Sequence, residues 1–226
     1  MTEKHRAISL EKEFELERVS LFSDAVFAIA ITLLVIDIKW PDLPEKMAGV
    51  AWLNVLLPTL LGFVGFVLSF VFIGRFWSGH LRLFKLLRKY DQGLINRNLL
   101  FLFFIVTFPF TAAGLFGHVR SNFLMPLYCY IGNLVLVSAA NFNLCRYIFR
   151  RKPFLTIEGK EQERKYLYYQ SLYATLAMVA TGVVVVVAGF VFPHRVDYIC
   201  YSLISSGLFL QIANKRSDRF EPVKHA

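Results

Sequence analysis

The chain of 226 residues is 56% hydrophobic and 18% charged, whereas a soluble globular chain carries about 25% charge. So apolar a sequence could not stay solvated without folding, which excludes a disordered protein, and its apolar residues fall into blocks long enough to exhaust a bilayer rather than a soluble core. The net charge of +9 would point to nucleic acid only if the basic residues formed a stripe on a soluble fold.

Residues 1–17 hold Glu3, Glu11, Glu13, Glu15 and Glu17 and lack both an apolar core and a small-residue cleavage site. They are expected to be a cytosolic N-terminal segment rather than a secretory signal, so the first span itself must direct insertion. A hydrocarbon core of about 30 Å needs roughly 20 apolar residues as a helix. Six stretches qualify, at about 19–38, 51–76 (running on into a basic amphipathic tail), 99–116, 123–147, 171–192 and 198–213. The expected fold is therefore an all-α membrane protein with six transmembrane helices, the membrane domain covering residues 18–214 and a cytosolic tail covering 215–226.

Short connections near 40–50, 117–122 and 193–197 alternate with long basic ones. Of the 25 Lys and Arg, only Lys39, Lys46, Arg120 and Arg195 lie on the short-loop side, leaving 21 on the other. By the positive-inside rule both termini are cytosolic. The same distribution disposes of nucleic acid, because the basic residues sit where anionic headgroups meet them. Trp40 and Trp52 at the outer ends of spans one and two, and Trp77 at the inner end of span two, suit interfacial anchors. Cys129, Cys145 and Cys200 lie in or beside spans without metal-ligand spacing and read as packing residues.

The first span is the atypical one. It contains Asp24, and an ionised carboxylate inside a span costs about 2.5 to 3.5 kcal/mol on insertion scales, so it should have a partner. At 100° per residue, Arg18, Phe22, Ile29, Thr32 and Ile36 fall within about 80° of one another, while Ser23 and Asp24 point about 120° to 140° away from Ile29. One face is thus apolar with a single hydroxyl, and the flanking polar pair is directed at neighbouring helices. Trp77 and His80, three apart at the inner end of span two, and Asn98 at the start of span three lie at the depth of Asp24. They are expected to complete an inner polar network with Ser23 and Asp24. An interfacial histidine facing headgroups is the alternative for His80.

The run Arg18-x-x-x-Phe22-Ser23-Asp24, followed by AVFAIAITLLVI at the head of a six-span chain, resembles the bacterial branch of the TMEM175 family of potassium channels. The resemblance implies a homotetramer of six-span subunits in a prokaryotic plasma membrane, with the first helix of each subunit lining a central pore. It also implies apolar constriction rings with a hydroxyl layer among them, and Ile29, Thr32 and Ile36 occupy the matching positions. On that reading Thr32 would offer four hydroxyl oxygens to a potassium ion, and the Ile29 and Ile36 rings would set the diameter and gate by dewetting. The bland alternative is a helix packing seam with Thr32 bonded back to the carbonyl of Ala28. Four unneutralised Arg18 side chains would repel a cation, so the Arg18-Phe22-Ser23-Asp24 motif reads mainly as a lock for packing.

Among function classes, a secondary transporter is the alternative to a channel. It would be expected to show broken helices and paired repeats, and no convincing repeat relates spans one to three with four to six. A membrane enzyme would need clustered His, Asp, Ser or Cys in mutual reach, found nowhere beyond the inner polar group. No enzyme activity and no cofactor are expected; the implied partners are further copies of the chain and the lipid bilayer, and the implied ion is potassium.

Overall fold

A computed structural model describes residues 3–36, 51–117 and 124–192, with 38 and 215. The expected sixth span at 198–213 lies outside the described residues, as do Trp40, His118, His194, Cys200 and the side chains of Trp52 and Pro58. Six α-helices are described: α1 (Glu3–Ile36), α2 (Ala51–Phe84), α3 (Gln92–Val106), α4 (Phe108–Gly117), α5 (Met125–Arg146) and α6 (Glu161–Val191). Among the described residues five segments are long and apolar enough to cross a membrane, α3 and α4 together counting as one. The fold is all-α.

The helices run well past the apolar blocks. α2 has 34 residues, about 51 Å at 1.5 Å per residue, against a hydrocarbon core of about 30 Å. α1 begins some four turns before Arg18 and α6 begins at Glu161, ten residues ahead of the apolar block expected from 171. Hydropathy marks where lipid stops, whereas a helix continues for as long as its backbone bonds are made.

The third span is broken at Thr107. Pro109 supplies no N–H to the carbonyl of Ile105 and disfavours the helical region for Phe108, so the chain pauses and restarts. The pause is stitched to α5. Asn133 Nδ2 donates to Thr111 Oγ1 at 3.3 Å, and Thr107 Oγ1 lies 3.1 Å from Asn133 Oδ1 and 2.9 Å from the carbonyl of Phe104. Position 58, by contrast, lies inside a continuous α2.

α5 is the central helix, packed on α3, α4 and α6, while α1 packs on α2, α3 and α4. The main core joins Phe27, Ala30 and Leu34 of α1 to Ile73, Phe101, Ile105, Phe108, Leu127, Leu134 and Val137. A second apolar cluster closes the basic end, where Leu83, Phe84, Leu94, Leu144, Ile148 and Leu155 meet. There the α2–α3 and α5–α6 connections are pinned together: Arg88 N donates to Leu155 O at 2.8 Å and Ile157 N to Leu86 O at 2.9 Å. Two glycines are set by close approach rather than by backbone freedom. A Cβ at Gly93 would strike the Tyr147 hydroxyl, and one at Gly189 would strike that of Tyr128.

Candidate functional site

α1 carries two faces of opposite character. Ser23, Phe27, Ala30 and Leu34 are buried, a stripe at helical spacing that points about 150° away from Ile29, Thr32 and Ile36 at 100° per residue. On that second side Ile29 is 58% exposed and Ile36 68%, and Thr32, Phe22 and Arg18 are exposed as well. The second stripe therefore packs against nothing within the described part of its own subunit. Leu21, Leu33 and Val35 are also exposed, so the uncovered surface is wider than the stripe itself.

Thr32 Oγ1 donates to the carbonyl of Ile29 at 2.9 Å, not to that of Ala28 as the packing-seam alternative supposes. The hydroxyl proton is thus committed to the helix, and the oxygen presents its lone pairs outward.

The buried side of α1 is keyed by a directed chain of hydrogen bonds. Ser23 Oγ donates to Val19 O at 2.8 Å, which leaves it to accept from Asn98 Nδ2 at 2.9 Å. That orientation of the amide turns Asn98 Oδ1 toward His80 Nε2, 2.9 Å away, so His80 carries its proton on Nε2. Three helices are joined by a sequence of bonds in which each group has one available role. Ser23 and His80 are fully buried and Asn98 nearly so, so His80 does not face headgroups. Its ring stacks on Phe84 with centroids 4.1 Å apart, and Phe27 and Phe101 lie within 6.0 Å. Among the described residues Nδ1 of His80 has no hydrogen-bond partner.

On the flank of the same helix, Trp77 Nε1 donates to Asp24 Oδ1 at 2.8 Å. This answers the carboxylate's need for a partner from α2. Ser23, Asp24, Trp77, His80 and Asn98 are thus brought together, with one difference from the sequence-based expectation: His80 reaches Ser23 only through Asn98. Among the described residues neither Arg18 nor Asp24 forms an ion pair.

A second polar group at the basic end escaped the sequence reading. Asp91 caps α3 by accepting from Leu94 N at 2.8 Å and also accepts from Tyr147 Oη at 2.7 Å. The Arg97 guanidinium lies 3.9 Å over the Tyr147 ring while donating to Gly93 O, and Tyr90 donates to Glu15 of α1. Asp followed by an apolar helical pattern is a capping signal that the sequence offered; the approach of Tyr147 to Gly93 leaves no local signal. Among the described residues no group of three or more His, Cys, Asp or Glu could hold a metal ion.

An all-α, multi-span membrane protein whose first helix is keyed to the second and third, and which leaves one stripe of that helix uncovered, is the class that this fold and site define. Residues 18–109, from the first residue of the Arg18 motif to just past the break in the third span, match the family model described as TMEM175, endosomal/lysosomal potassium channel. Over those residues the chain is similar to the TMEM175 family. It is 35% identical over 123 residues to a protein of Streptomyces collinus named a potassium channel, covering 54% of this chain and 58% of that one. It is 37% identical over 111 residues to a mouse protein named endosomal/lysosomal proton channel TMEM175, covering 46% of this chain and 22% of that one. These alignments thus span only part of each relative's length. The crystal structure of a lysosomal potassium-selective channel TMEM175 homolog from Chamaesiphon minutus is similar in fold, with a TM-score of 0.68 at 24% identity over 88% of this chain and 98% of that one.

Proposed function

We propose that the protein is a passive, potassium-favouring cation channel in which four copies place their α1 helices around a central pathway, with Ile29, Thr32 and Ile36 facing it. The single observation that carries this reading is the two-sided α1: its buried stripe is fully engaged, while Ile29 and Ile36 stand 58% and 68% exposed on one subunit. A hydroxyl whose proton is tied to the Ile29 carbonyl offers oxygen lone pairs, which suits a partly dehydrated cation and not an anion. The isoleucines above and below it would narrow the path and resist wetting when it is closed. Ser23, Asp24, Trp77, His80 and Asn98 act in this reading as the device that fixes the rotation of α1, so that the stripe faces the axis. Phe22 and Arg18, exposed on one subunit, would meet the neighbouring copy; the charge asymmetry supports cytosolic termini, and the membrane in this reading is the plasma membrane.

Reconstitution into planar bilayers with unequal potassium and sodium on the two sides tests it. Unitary currents reversing toward the potassium potential are expected. Saturable flux that needs a coupled gradient and shows no unitary currents would assign the chain to secondary transport instead. Because relatives carry both potassium-channel and proton-channel names, a pH gradient imposed at equal potassium measures the proton share of the current.

A further inference from the structure

On the side of the bundle away from α1, the basic half of α2 stands apart from α5 and α6. The cleft between them has a volume of about 110 Å³. Toward the basic end it is bordered by the apolar cluster that contains Leu83 and Cys145, both of which line it; toward the other end of the bundle Ser69 of α2 and Tyr130 of α5 lie 3.2 Å apart. Its walls are amphipathic. Arg75 and Arg82 project from α2 at its rim, Asn141 and Gln170 contribute amide donors from α5 and α6, and Phe72 and Met178 supply an apolar wall. Arg75, Gly79 and Arg82 lie at spacings of four and three, hence on one helix face. A Cβ at Gly79 would meet nothing within 4 Å, so the space between the two arginines is open. Both arginines are exposed, and among the described residues no acidic residue lines the cleft and neither arginine forms an ion pair.

We infer that this cleft binds one anionic phospholipid, its phosphodiester held by Arg75 and Arg82 with Asn141 and Gln170, and the start of an acyl chain against Phe72 and Met178. Guanidinium groups match phosphate oxygens in paired geometry. Basic pockets between transmembrane helices, on the side where anionic lipid is enriched, are where such headgroups settle. A free phosphate satisfies the arginines but leaves the apolar wall uncovered, whereas a lipid satisfies both, and this commits the site to a lipid. The leaflet that supplies it follows from the orientation proposed above; the binding itself does not depend on the conducting role.

The test uses the purified full-length protein, native mass spectrometry and mixtures of phosphatidylglycerol with phosphatidylcholine. The wild type is expected to retain phosphatidylglycerol preferentially, and R75Q/R82Q to lose that preference by about tenfold or more. R150Q/K165Q, which removes two basic residues outside the cleft, should keep it. Gly79→Leu fills the open floor without changing charge and should also expel the lipid, so the inference stays testable if the double arginine variant does not fold. Equal preference in wild type and R75Q/R82Q would overturn the site, and displacement of phosphatidylglycerol by millimolar inorganic phosphate would overturn the lipid as its occupant. Since the readout is binding rather than current, a protein that binds the lipid without conducting potassium would refute the channel reading alone.

Discussion

Replacing Asn98 by Leu, close to it in volume, removes the middle of the chain that runs from His80 to Val19. Two bonds of 2.9 Å disappear, and their losses are unequal. Ser23 keeps its donation to Val19 O and loses only an accepted proton. The His80 Nε2–H, fully buried between Phe84 and Phe101, is left with no partner, on a ring whose other nitrogen already has none among the described residues. Orphaning a buried polar group costs about 1 to 3 kcal/mol, whereas hydrogen bonds between transmembrane helices average only about 0.6 kcal/mol when measured by paired substitution. The orphan therefore sets the outcome, and Asn98→Leu should destabilise by about 2 to 4 kcal/mol. If so, removing the orphan should restore stability: with His80→Phe in the same chain, the ring still stacks and no N–H remains. The double variant is expected to be more stable than the sum of the two single effects by about 1 kcal/mol or more. Midpoints of unfolding in mixed micelles of increasing sodium dodecyl sulfate give all four corners of the cycle. A coupling within about 0.5 kcal/mol of zero, the scatter expected of independent sites, would refute the account of the network as a directed chain.

Trp77→Phe should cost about 1 kcal/mol, and in an Asp24→Leu background it should cost much less, since the partner of the 2.8 Å bond is already gone; the same micelle titration reads the difference. Gly189→Ala places a methyl against the Tyr128 hydroxyl and should destabilise by about 1 to 3 kcal/mol, with Tyr128→Phe in the same chain recovering most of it. Phe27→Ala, in the core, should cost about 3 to 5 kcal/mol, while Phe22→Ala, 53% exposed on the subunit, should leave subunit unfolding nearly unchanged and, on the proposed reading, lower the fraction of tetramer seen by crosslinking. Thr32→Val keeps the shape and removes the hydroxyl, so on the proposed reading the potassium-to-sodium permeability ratio or the unitary conductance should shift; unchanged currents would remove Thr32 from the proposed pathway.

How much of this could be read from the residues follows from what each signal encodes. Apolar blocks reported the five described spans because lipid imposes a length and a composition, and the basic tail expected after span two is the inner end of α2, yet they missed the polar ends of α1 and α6, which no hydropathy rule obliges to stop at the interface. The grouping of Ser23, Asp24, Trp77, His80 and Asn98 was legible from depth alone, since a polar side chain inside a membrane has few places to find a partner. Their pairing was not, because it depends on which way one amide faces, and that is settled by the Ser23 proton going to Val19. The Asp91–Tyr147–Arg97 group was missed for another reason: its members lie in connections and helix ends, where no periodicity brings distant residues together.

The two faces of α1 also bear on each other. A helix held only by apolar contacts can turn about its axis at small cost, because leucine, phenylalanine and isoleucine are roughly interchangeable in a packed seam. A helix held by a hydrogen-bond chain cannot, since a turn of one residue carries Ser23 and Asp24 through about 100° and strands Asn98, His80 and Trp77 together. The polar key near the basic end therefore fixes the bearing of residues about one and a half to three and a half turns further along α1, where Ile29, Thr32 and Ile36 stand uncovered. On the proposed reading, selectivity at Thr32 depends on bonds made by Ser23 and Asp24, and variants of Asn98 or Trp77 that still assemble should alter permeation without touching the pathway.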